Sequence, residues 1–172
     1  ENESFDFILC NGVLHHTKNP YEAFSNIVNC LKKDGYIVIG LYNKIGRLRT
    51  IIRKYAYKVF GKNLLMLLDP VLRKTDKNSK DKIEAWIRDQ YLHPVETTHT
   101  FDEILNWFKK NDIEFINAIP QCSLFDEYNN NFFEKKTKAT FFERILQQIF
   151  MIIKKYGSEG GLFIFIGKKI NS

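Results

Sequence analysis

Apolar positions along this chain fall alternately into short unbroken runs and helical stripes, the pattern of strands and helices taken in turn. Phe5 to Cys10 is a nearly continuous apolar run, which predicts a strand buried on both faces of a parallel sheet. Asn11 and Gly12 break the run and turn the chain, delivering Val13, Leu14, His15 and His16 at the strand's carboxyl end. In open α/β sheets that end is where ligands bind. Asn19-Pro20 with Glu22 reads as an N-cap, a first-turn proline and a capping box. The helix they open puts Ala23, Phe24, Ile27, Val28 and Leu31 on one face. Lys32 and Lys33 near its end and Gly35 as its left-handed stop complete the reading. Tyr36 to Leu41 is then a second buried strand.

From Lys44 the pattern changes. Ile45, Leu48, Ile51, Ile52, Tyr55, Val59 and Phe60 recur at helical spacing among seven cations with no acid, which predicts a basic amphipathic helix to about Lys62. It opens an insertion that continues to about His99, with a polar connection at "RKTDKNSKDK" and a helix over Ile83 to Tyr91. Thr100 to Glu103 is another capping box, and its helix turns Phe101, Ile104, Leu105 and Phe108 to one side before ending near Asn111. Ile113 to Ile119 reads as a strand stopped by Pro120. A loop through the Asn129-Asn130-Asn131 tract leads to a long helix over Ala139 to Tyr156, apolar enough to pack on two sides. Gly157, Gly160 and Gly161 turn into a final strand, Leu162 to Ile166. There is no internal repeat.

The totals narrow this picture. With 172 residues, 44% hydrophobic and 27% charged, the chain suffices for one domain with a substantial core. No apolar run approaches the roughly 20 residues that cross a bilayer, and no secretory leader opens the chain. Cys10, Cys30 and Cys122 form neither a CxxC pair nor an even framework, so they read as reduced, mostly buried residues of a cytoplasmic protein. His15, His16, His93 and His99 lack metal-ligand spacing, and no metal site is expected. The net charge of +6 is compatible with an anionic partner without naming one.

The residues "FDFILCNGVLHH" followed by "NPYEAFSNIVNCLKKDGYIVIGLYN", Phe5 to Asn43 without a gap, resemble the class I S-adenosylmethionine-dependent methyltransferases. They look like that family's fourth strand, fourth helix and fifth strand. The resemblance implies an α/β fold, part of a doubly wound Rossmann-like sheet whose last strand runs antiparallel between the fifth and sixth. Its sheet core would be 1–43, 100–119 and 161–169, with helical insertions at 44–99 and 120–160. It also implies three strand–helix units ahead of Phe5, and neither they nor a GxGxxG loop is present. The chain is therefore expected to be a fragment lacking the cofactor-binding half, inactive and associating when isolated.

By the same resemblance the cofactor is S-adenosylmethionine, with Cys10, Asn11, Gly12 and Leu14 beside it. His15 or His16 would take a proton from the acceptor, an imidazole being suited to that near neutral pH. Tyr42 and Asn43, at the second strand's end, would line the acceptor pocket; a plain terminus with Asn43 capping the next helix is the competing reading. Asp89, Tyr91 and His93, in "DQYLHPVETTH", would close over the acceptor or form a surface loop held by Pro94. A small-molecule acceptor is expected. The basic helix is a solvated face or lid, or else meets RNA or an anionic membrane surface. A non-catalytic interaction module and a nicotinamide-dependent Rossmann enzyme remain as other classes, the latter disfavoured by Leu-His-His and the closing strand.

Overall fold

The computed structural model describes residues 3–76, 79–92, 96–126, 131–153 and 161–171. The expectations for Pro94, Asn129, Asn130, Tyr156, Gly157 and Gly160 lie outside the described residues. Four strands make one sheet: β1 (Phe5–Asn11), β2 (Leu31–Tyr42), β3 (Ile113–Ile119) and β4 (Leu162–Lys169), in the order β1-β2-β4-β3. β1 and β2 are parallel, joined by a 3₁₀ turn at Leu14–His16 and helix α1 (Pro20–Asn29). β4 lies antiparallel to both β2 and β3, the wedged last strand that the resemblance implies.

Between β2 and β3 come α2 (Leu48–Leu68), α3 (Pro70–Lys74), α4 (Lys80–Tyr91) and α5 (Phe101–Lys110); α6 (Phe141–Ile153) precedes β4. The main core joins Phe24 and Val28 of α1, Phe101, Ile104 and Phe108 of α5, and Ile37, Ile39, Phe163 and Phe165 of the sheet. Leu65, Leu72, Ile83, Ile87 and Tyr91 form a separate small core among α2, α3 and α4. Among the described residues, no helix is long and apolar enough to cross a membrane.

Several expectations need correction. β1 is not buried on both faces: Ile8 and Cys10 pack on the core, whereas Phe5, Phe7 and Leu9 are exposed. An apolar run cannot show whether its second face is covered; here Phe133 crosses that face and its ring touches those of Phe7 and Tyr36. The chain re-enters the sheet at Leu31 rather than Tyr36, because Phe5 pairs with Leu31 and Phe7 with Tyr36, and residues 32–35 bulge between. Asp34, not Gly35, takes the left-handed conformation, with φ 63°, which a short polar side chain tolerates. Gly35 instead serves close packing: a Cβ there would lie 2.9 Å from the Lys32 carbonyl oxygen and 3.0 Å from that of Asp6.

α6 is not buried on two sides. It turns Gln147, Gln148 and Met151 inward and leaves Phe142, Leu146, Ile149 and Ile153 exposed. Gln148 is the reason: its side-chain oxygen accepts from Asn43 Nδ2 at 2.8 Å and from the Phe101 amide at 3.2 Å, which fixes the helix's rotation. α2 is broken at Gly61, where φ is 74° and ψ −167°. Cys10 and Cys30 are half-buried rather than buried, and Cys122 alone of the three is buried.

Candidate functional site

The carboxyl ends of β1 and β2 lie side by side, with Cys10 opposite Ile39 and Asn11 opposite Gly40. The Asn11 side chain lies over Gly40, where a Cβ would fall on its oxygen. The Gly12 amide donates to the Gly40 carbonyl at 3.1 Å, closing the ladder. Gly12 then turns with φ 74°, and a Cβ on it would meet nothing within 4 Å. The turn is thus open on the side away from the sheet, with Asn11 and Val13 exposed. Leu14 and His15 point the other way and are buried. The Cys10 thiol has its pKa raised by burial, only partly offset by a hydrogen bond from the Leu14 backbone.

Rings and charges stack behind this turn. The His15 ring is 4.1 Å from the His16 ring and 4.4 Å from the Tyr42 ring. The Arg47 guanidinium sits 3.6 Å from the Tyr42 ring centre, close enough for a cation–π contact in a desolvated setting. Arg47 is fully buried and held as a fork: Nε and Nη2 donate to Glu96 at 3.1 and 2.9 Å, and Nη1 donates to Gln90 at 3.0 Å. Gln90 in turn donates to Asp89 at 2.7 Å. A line of contacts therefore runs from the exposed Asp89 of α4 to the half-buried His16 after β1.

A second line reaches the same turn. The Thr97 amide donates to the His15 carbonyl at 2.9 Å, and the Thr97 hydroxyl lies 3.2 Å from that carbonyl and 2.9 Å from His99 Nε2. His99 Nδ1 is 2.9 Å from Glu103. The α5 N-terminus explains why. Thr100 caps it by accepting from the Glu103 amide at 3.2 Å, but the Glu103 carboxylate turns to His99 instead of completing the capping box.

Of the residues expected at the site, Cys10, Asn11, Gly12, Leu14, His15, His16 and Tyr42 are brought together. Asn43 is adjacent but fully buried and committed: its oxygen accepts from the Ile45 and Gly46 amides at 3.0 and 2.8 Å, and its nitrogen donates to Gln148 and the His99 carbonyl. Asp89 connects through Gln90. Tyr91 faces the small helical core instead, its hydroxyl donating to Asp69, which also accepts from Trp86 at 3.0 Å. His93 lies outside the described residues. Arg47, Gln90, Glu96, Thr97 and His99 were not singled out as site residues. Arg47 is one cation among seven in its run, and only its burial separates it from the rest.

Comparison with known proteins agrees with this architecture. Residues 1–39 match a family described as a methyltransferase domain. The ubiquinone biosynthesis O-methyltransferase of Glaesserella parasuis serovar 5 (strain SH0165) is 32% identical over 65 residues, 36% of this chain and 28% of the relative. PKMT2 from Rickettsia typhi in complex with AdoHcy shares the fold with a TM-score of 0.63 at 13% identity, covering 100% of this chain and 37% of that one. A second structure of PKMT2 gives a TM-score of 0.59 at 15% identity, over 95% of this chain and 35% of that one. The chain thus spans about a third of the length of these relatives. The matched strand–helix segment resembles a methyltransferase domain, and the sheet with its antiparallel closing strand shares the fold of PKMT2.

Proposed function

We propose that the turn after β1 forms the methionine-side wall of an S-adenosylmethionine site, and that the protein transfers a methyl group to an acceptor held between that turn and α4. The observation that carries this reading is the stack of His16, His15, Tyr42 and Arg47 at the carboxyl ends of two adjacent parallel strands. The residues fit such a ligand. Gly12 leaves the strand end open, Asn11 and Val13 are exposed beside it, and Leu14 anchors the turn from within.

S-adenosylmethionine supplies an activated methyl group, so the protein's task is to orient the acceptor and receive its proton. His16 is the imidazole that remains half-exposed, and it takes the proton. His15 is 1% exposed, and together with Tyr42 it sets the position of His16. Asp89 flanks the acceptor from the α4 side. Asn43 supports the walls from beneath, and Tyr91 fastens α4 to the small helical core.

The test is a titration of the isotope-labelled chain with S-adenosylhomocysteine, followed by amide NMR. Shifts concentrated on Asn11 to His16 and on Tyr42 are expected. Binding should be weak, in the millimolar range, since the chain is expected to lack the cofactor-binding half. Shifts concentrated anywhere other than Asn11 to His16 and Tyr42 would remove the site assignment.

A further inference from the structure

Three exposed apolar surfaces stand out: the outer face of β1, the outer stripe of α6 and the outer stripe of α2. Only the last carries an indication of what it meets. On α2, Leu48, Ile52, Tyr55 and Val59 follow one another at spacings of four, three and four, which aligns them on a single face. Their exposures of 45%, 58%, 64% and 72% show that this face points away from the protein. The opposite face is the packed one: Thr50 is buried, and Tyr57 packs on the small helical core.

The charges follow the same geometry. The run from Lys44 to Lys62 holds seven cations and no acid. Arg47 is buried on Glu96 and does not count. Arg49 lies on one side of the stripe and Lys58 on the other, both exposed, with Lys44 and Lys62 exposed toward its two ends. The Lys58 ammonium lies 5.9 Å from the Tyr55 ring centre, at the margin of the stripe.

We propose that this outward face of α2 docks on an anionic phospholipid bilayer. An amphipathic helix that lies in the plane of the interface needs an apolar face at acyl depth and cations level with the phosphates. Here Leu48, Ile52 and Val59 enter, with Tyr55 at headgroup level, and Arg49 and Lys58 meet lipid phosphates on either side. The aliphatic centre decides against nucleic acid, which would engage the cations but gain nothing from Ile52 and Val59. α6 lacks the complementary charge: among its described residues the one cation is Arg144, and Arg144 is paired with Asp102.

The test is co-sedimentation of the chain with vesicles of phosphatidylcholine alone and of phosphatidylcholine and phosphatidylglycerol in equal parts. Binding to the second, weakening with salt and absent from the first, is expected. Arg49→Gln and Lys58→Gln should each weaken it about fivefold, the factor for one basic residue at an anionic surface. Ile52→Ser with Val59→Ser should abolish it while leaving the circular dichroism spectrum unchanged. Tyr55→Trp supplies a second readout, its indole emission shifting to the blue on the anionic vesicles. No binding, equal binding to both vesicles, or no added blue shift from the Tyr55→Trp variant would overturn the proposal. So would capture on single-stranded RNA that the two serine substitutions leave intact, or a dimer that those substitutions dissolve in the absence of any vesicle binding.

Discussion

The Arg47 guanidinium stacks 3.6 Å from the centre of the Tyr42 ring, and that ring lies 4.4 Å from the ring of His15. One buried cation at the start of α2 thereby ties the end of β2 to the turn after β1. Glu96 and Gln90 hold the cation from the other side, so the helical segment and the strand ends share a single fastening.

Removing that fastening should be costly. Arg47→Ala leaves a carboxylate with 14% of its side chain exposed and no partner fork, and a loss of about 3–5 kcal/mol is expected for breaking a buried pair. Replacing Arg47 and Glu96 together by Met and Leu should cost far less, since no buried charge then remains. Urea denaturation of the three proteins decides it; equal losses for the single and double variants would show that the charge pair is not what matters.

Asn43→Ala should destabilise by about 2–3 kcal/mol, because it leaves the amides of Ile45 and Gly46 without their acceptor and removes one of the two donors to the Gln148 oxygen. Thermal melting would read the change directly. A loss of less than about 1 kcal/mol would mean that water replaces the Asn43 side chain.

Thr97→Val keeps the shape and removes the hydroxyl between His15 and His99. Stability should fall by about 1 kcal/mol, and the His15 and His16 ring signals should shift because the turn loses one of its two ties to Thr97. Unmoved histidine signals would argue that the amide bond at 2.9 Å holds the turn alone.

Acid should loosen the small helical core first. Burial raises the Asp69 pKa, but hydrogen bonds from the Tyr91 hydroxyl, the Trp86 indole and the Leu72 and Val71 amides outweigh it and hold the carboxyl below its usual value. A carboxylate lowered in the folded state contributes stability above its unfolded pKa, about 3.9, and that contribution is lost as pH falls through the folded value. Denaturation midpoints should therefore drop below about pH 4 in the parent and drop less in Asp69→Asn. Parallel pH profiles would disprove the assignment.

Thiol reagents should separate the cysteines at neutral pH. Burial pushes Cys122 up to about 12, so it should label only on unfolding. Cys10, half-buried and raised by that burial, should label slowly. Prompt modification of Cys122 in the native protein, read by mass spectrometry, would contradict its placement.

Local signals were the most legible part of the chain. Asn19 accepts from the Glu22 amide and donates to the Glu22 carboxylate, as the Asn-Pro-Tyr-Glu pattern predicts. β3 begins at Ile113 and ends at Ile119 as read. Thr140 and Glu143 form a complete capping box, so the helix starts at Phe141 and not at Ala139. The open turn at Asn11 and Gly12 was legible because a break after an apolar run has few local meanings.

Periodicity, caps and turn residues determined the order of strands and helices, and the Phe5 to Asn43 pattern carries the resemblance to the methyltransferases, because these depend on neighbours within one turn or one strand. Only the tertiary structure decided which apolar faces are covered, why α6 buries glutamines, and which of seven cations lies beneath Tyr42. Burial and stacking depend on residues such as Arg47, Glu96 and Gln148, which are far apart in the chain and meet only once the sheet has formed. No window of sequence records such a meeting.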